Sequence, residues 1–307
     1  EIDFALEKRG ATFVSGKTLQ NRITPSAYTR AGEIIRALYD DKRMSFMNYK
    51  NVPLLDPLRF STHVYLAPLF HYIDVIGRFV EGSSGVMRFV VPVRVVHVSK
   101  TSDALAVEES KMVYEAAYLA AEMMGILCDA YDMLSPALRV KGHWQAFVFA
   151  TKRVLFGATL SFLNGLMALR PRRPIRVLAS DYWRSLAPIL HQMPEAEVVL
   201  LDRSQALQAG IKNIWRHKVR FMHIEQFLSG KGSRRALAHA KECEKKWMAM
   251  RKEFLSSLDL SFCGVSLAST AERILTHLIK TAVPDIIRDI EGAYAMYEYL
   301  SPDSVLL

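Results

Sequence analysis

The stretch PIRVLASDYWRSLAPILHQMPEAEVVLLDR, residues 174–203, decides the fold class. Its β-branched runs are strand-like, and the residues between them suit short helices. Together with the residues that follow, it predicts strands at 175–179, 197–201 and 219–223, and helices at 182–192 and 204–210. Strands separated by short helices are typical of a parallel sheet with right-handed crossovers.

The first 130 residues follow the same alternation of helices and strands. Gly10 and Gly125 each follow a predicted helix and precede a predicted strand, as glycine does at an αβ junction. The pattern predicts strands at 11–14, at 93–98 and from 126 onward, and helices at 25–39, 65–79 and 108–124. This alternation indicates a doubly wound sheet.

The predicted fold class is therefore α/β, with two Rossmann-like units of parallel sheet joined by a helical segment. The predicted domains are 1–130 for the first unit, 131–172 for the helical connection with its basic linker, and 173–307 for the second unit. Residues 154–169 carry no charge over 16 positions, which is short of the roughly 20 apolar residues that a membrane span requires. We expect a buried or interface helix there.

Composition sets broad limits on function. Of 307 residues, 50% are hydrophobic and 23% are charged, a globular balance. The net charge of +9 favours anionic partners, whether nucleic acid, membrane or phosphate-bearing ligands. Cys128, Cys243 and Cys263 lack metal-ligand spacing, so we expect buried or partly buried thiols in a reducing compartment.

Both chain ends look cut. The chain begins at Glu1 with no initiator methionine, and it ends on the apolar run 302–307, which predicts a strand entered at Pro302-Asp303. We expect a functional loop after this strand, at the edge shared with Ser180-Asp181 if the strands are parallel.

Ligands of open parallel sheets bind where strands end and helices begin, and three predicted loops meet this condition. Ser99, Lys100 and Thr101 follow the predicted strand 93–98 and suit an anion. The alternative for this loop is a solvated turn that caps the next helix.

The second loop, after strand 175–179, combines a carboxylate, two aromatic rings and a guanidinium, in Asp181, Tyr182, Trp183 and Arg184. Asp181 is the candidate catalytic base or acceptor for a sugar hydroxyl, and its alternative role is to cap the following helix. In the third loop, Asp202 follows strand 197–201 and is placed to hold a ribose hydroxyl.

Several catalytic motifs are missing from the sequence. It contains no GxGxxG, no GxxxxGK[ST], no HExxH and no GxSxG, and GATFVSGK at 10–17 has the wrong spacing for a phosphate loop. We therefore expect neither a cofactor nor a metal.

Residues 231–252 hold eight lysines and arginines and predict a long basic helix. It is either a solvated face or a peripheral contact with anionic membrane through Lys245, Lys246, Arg251 and Lys252, with Trp247 and Met248 as anchors. Nucleic acid is not expected, because no recognised binding module is present. A further helix at 267–299 is predicted to break near Pro284.

Four stretches carry a family resemblance: ALEKRGATFVS, YEAAYLAAEMMGI, the opening stretch 174–203, and YEYLSPDSVLL. The chain resembles a GT-B-type glycosyltransferase of bacterial surface polysaccharide biosynthesis, truncated to its acceptor side. The resemblance implies metal-independent sugar transfer from a nucleotide-sugar donor to a surface-glycan or lipid-linked acceptor, in the cytoplasm or at the membrane periphery. The resemblance implies that the donor-binding half lies outside this chain, so no catalytic residue of the family is carried over.

Two alternatives stay open. The chain is either a non-catalytic α/β interaction module that binds anionic membrane or nucleic acid through its basic helix, or an enzyme of another α/β family such as a sugar-phosphate epimerase.

Overall fold

A computed structural model describes residues 24–81, 88–93, 109–132, 175–179, 196–200, 219–222 and 224–306, with a few single positions between 151 and 192. In chain order its helices are α1 (Pro25–Tyr39), α2 (Arg59–Glu81), α3 (Glu109–Met124), α4 (Gly230–Ser256) and α5 (Ala268–Leu300). Its strands are β1 (Asn48–Tyr49), β2 (Val52–Pro53), β3 (Arg88–Val93), β4 (Leu127–Asp132), β5 (Ile175–Ala179), β6 (Ala196–Leu200), β7 (Arg220–Phe221), β8 (Ser261–Phe262), β9 (Val265–Ser266) and β10 (Ser304–Leu306). Short 3-10 helices lie at Lys42–Phe46, Asp56–Leu58 and Ile224–Phe227.

The chain forms two compact units, and each is assembled from two separate stretches. The first unit consists of 1–139 and 243–282, and the second of 140–242 and 283–307. The unit boundaries therefore fall inside α4 and α5. The domains predicted from the sequence divide the chain differently, and they stay a prediction.

The first unit is built mainly of helices. α1 buries Ala27, Ala31, Ile34, Ile35 and Leu38, a helical spacing that aligns one apolar stripe. Its observed bounds agree with the predicted 25–39, and Pro25 occupies the first turn, where a missing N–H costs nothing. α2 is longer than the predicted 65–79 at both ends.

A two-stranded parallel sheet, β3 with β4, completes the first unit, and α3 lies between these strands in the chain. Gly125 ends α3 at φ +69°, a conformation that glycine adopts without strain. β3 reaches only the first residue of the predicted strand 93–98, and residues 94–98 lie outside the described ones.

The second unit contains a four-stranded sheet in the order β10-β5-β6-β7, with every neighbouring pair parallel. Leu178 and Val199 pack against Met296 and Leu300 of α5 to form its core. These observations confirm a mixture of helices with small parallel sheets. The helix expected at 204–210, most of the helix expected at 182–192 and most of the connection 131–172 lie outside the described residues.

α4 and α5 run antiparallel, as their contacts show. In the first unit, Lys280 pairs with Glu244, the Trp247 indole donates to Thr276, and Arg251 pairs with Glu272. The predicted break near Pro284 is wrong. The helix α5 is 33 residues long and continues without interruption through this proline. Val283 and Ile287 on either side of this proline are fully buried, and we infer that this packing offsets the lost backbone hydrogen bond.

Two further expectations are corrected. Trp247 is completely buried, so it does not anchor a membrane contact. Cys263 is exposed rather than buried, because it lies at φ 49° in the two-residue turn between β8 and β9. No helix in the described ranges is both long enough and apolar enough to span a bilayer.

Candidate functional site at the carboxyl edge of the parallel sheet

The sheet of the second unit has one position where the direction of chain progression reverses. From β5 the chain moves to β6 and then to β7 on one side, and it returns to β10 on the other side of β5. A reversal of this kind marks the carboxyl ends of the two neighbouring strands, here β5 and β10, as the place where open α/β sheets bind ligands.

The strands of this sheet end at one level. Ala179 of β5 pairs with Leu306 of β10 on one side and with Leu200 of β6 on the other, and Leu200 pairs with Phe221 of β7. The last residue of each strand therefore lies in a single row. The condition set for the last strand is met, because β10 is parallel to β5.

The predicted site residues follow these strand ends in the chain. Ser180 is bonded to Ala179, and Asp181, Tyr182, Trp183 and Arg184 come directly after it, whereas Asp202 comes two residues after β6. These residues, like Ser99, Lys100 and Thr101, lie outside the described ones. The structure thus gives the position from which the 180–184 loop departs.

The opposite, amino end of the sheet is held by a hydrogen-bonded clasp. The Asp303 carboxylate accepts from the Arg176 backbone N–H at 2.7 Å, and the Asp303 N–H donates to the Arg176 carbonyl at 2.9 Å. The Arg176 guanidinium also donates to the Leu300 carbonyl at the end of α5. This clasp sets the register of β10 on β5, and so it places the carboxyl ends of the two strands side by side.

A buried ion pair stabilises the other half of the sheet. Arg220 of β7 lies 3.1 Å from Glu197 of β6, whose side chain is almost completely buried. This pair is not among the sequence predictions, although a carboxylate inside the apolar run of 196–200 is a signal for a buried partner.

The N-terminus of α4 already has an anionic partner within the protein. Ser229 caps it by accepting from the Gly232 N–H at 3.0 Å, and the buried Glu291 carboxylate pairs with Arg235 at 2.6 Å. A Cβ at Gly232 would lie 3.2 Å from the same carboxylate, so glycine allows this approach. We infer a structural role, because Glu291 takes the place that a bound anion would occupy.

A polar cluster in the first unit joins α2, α3 and α5. The Glu115 carboxylate accepts from the Tyr65 hydroxyl, from Arg273 and from the Thr270 hydroxyl, the last at 3.0 Å. Burial, followed by the Glu115 charge, raises the pKa of Tyr65 above its usual range. Since the carboxylate is engaged by three donors, we interpret the cluster as a structural crosslink rather than a general base.

The sequence carries one signal for this cluster, which is not among the predicted sites. Glu115 is a charged residue within the Ala-rich and Met-rich helix α3, and the two residues that follow it, Ala116 and Ala117, are buried. A charge on such a face requires partners in the fold.

Within the described ranges, no group of three or more histidine, cysteine, aspartate or glutamate side chains is arranged to hold a metal ion. No family model, no curated protein and no solved structure matches this chain.

Proposed function

We propose that the chain is a glycosyltransferase-type protein that transfers a sugar from a nucleotide-sugar donor to a surface-glycan or lipid-linked acceptor, and that the described sheet shapes the acceptor side. The observation that carries the proposal is the pairing of β10 with β5 on the side opposite β6. In order of appearance the four strands run 3-2-1-4, as at the start of a doubly wound Rossmann sheet.

The same order supports the finer fold proposal of two Rossmann-like units. The parallel β3–β4 pair, with α3 between its strands in the chain, has the connectivity of one βαβ step of the other unit. The proposed location is the cytoplasm, with at most peripheral contact with a membrane.

Asp181 is the proposed base for the acceptor hydroxyl, because the chain leaves β5 at the reversal point two residues before it. Tyr182 and Trp183 offer aromatic faces to a sugar ring, and Arg184 offers a guanidinium to a phosphate. In the same proposal Asp202 accepts from a sugar hydroxyl, and the loop Ser99, Lys100 and Thr101 binds a phosphate.

The proposal is tested by incubating the full-length protein with a panel of nucleotide sugars and measuring nucleotide release and binding. We expect at least one donor to be bound and slowly hydrolysed. Asp181→Asn is expected to lower this rate by about 10²–10⁴-fold, the usual contribution of a general base. Asp285→Asn, a change at an exposed carboxylate of α5, is the matched control and is expected to leave it unchanged.

Two results would count against the proposal. Absence of binding and hydrolysis across the whole panel contradicts sugar transfer. Equal rates for Asp181→Asn and the unaltered protein contradict the assigned base, even if a donor is bound.

The second candidate function, an interaction module acting through the basic helix, has one specific observation in its favour. Part of the outer face of α4 carries lysines that the fold leaves exposed.

A further inference from the structure

No further inference is drawn: the strongest candidate, the exposed apolar patch of Tyr28 on α1 with Phe60 and Val64 on α2, carries none, because nothing in the described part of the structure shows what covers it.

Discussion

The two compact units bury polar groups in different ways. In the first, side chains from three helices converge on the Glu115 carboxylate, and in the second, backbone pairing of parallel strands and a clasp at Asp303 supply most of the polar contacts described. A side-chain crosslink can be removed by changing one residue, whereas a strand ladder cannot. We therefore expect the strand ladder of the second unit to be sensitive mainly to backbone approach, and the helix cluster of the first unit to the loss of a partner.

The largest effect is expected from Gly292→Ala, which tests the second unit. A Cβ there would lie 2.5 Å from the Ile224 side chain and 2.7 Å from the Ile224 carbonyl oxygen, so α5 or the 3-10 helix Ile224–Phe227 has to move. We expect a loss of about 3 kcal/mol, at the upper end of the cost of overpacking, measured by chemical denaturation.

Gly77→Ala in α2 is the matched control, because a Cβ at Gly77 meets nothing within 4 Å. It is expected to stabilise the first unit by about 0.5–1 kcal/mol through helix propensity. Hydrogen exchange read by peptide localises each effect. If Gly292→Ala instead lowered hydrogen-exchange protection in α2 and α3 and left β5 and β7 unchanged, the proposed difference between the two units would be contradicted.

The second prediction tests the first unit through Glu115→Ala. This change leaves the Tyr65 and Thr270 hydroxyls buried without their acceptor, which costs about 2 kcal/mol. Exposed Glu122 on the same helix supplies the control, and Glu122→Ala is expected to change stability by less than about 0.5 kcal/mol. Equal effects for the two variants would show that the cluster does not crosslink the helices.

The smallest effect concerns alkaline pH and Tyr39. Burial raises the pKa of Tyr39 to about 12, above the value of roughly 10 in an unfolded chain. The unfolded state therefore loses its proton first, so this stabilising contribution is complete below pH 10 and is lost as pH rises toward 12. We expect about 1 kcal/mol of the fall in stability at pH 11 to come from this group.

Tyr39→Phe is expected to flatten the fall in melting temperature between pH 8 and pH 11, roughly one unit above the ordinary tyrosine pKa. Tyr118→Phe, at a half-exposed ring of the same unit, serves as the control. If the two variants and the unaltered protein show the same slope, burial of Tyr39 does not set its titration.

Local sequence patterns predicted much of what is described. The bounds of α1 and β5 agree with the prediction, and those of α3 and β6 differ by one residue at one or both ends. Apolar periodicity and terminating glycines are short-range signals, so a single chain reveals them. The candidate loops at 99–101, 180–184 and 202 were predicted from the same signals, and their geometry stays a prediction.

The errors came from packing at a distance. Pro284 is a helix breaker by its own chemistry, yet α5 continues because the packing of Val283 and Ile287 outweighs one lost hydrogen bond. Trp247 looked like a lipid anchor among cations, and it is instead a core residue whose indole reaches Thr276, 29 positions away. No local pattern reports a partner at that separation.

The alternation of helices with strands and the basic helix at 231–252 follow from local sequence, because propensity and periodicity are properties of neighbouring residues. The position of β10 beside β5, which places the reversal point at Ala179, follows from folding alone. Strand order depends on long-range pairing, and a parallel neighbour 127 residues away leaves no mark on the residues between. The pairing of Arg251 with Glu272 likewise follows from tertiary structure, because side-chain partners are chosen only when the helices pack.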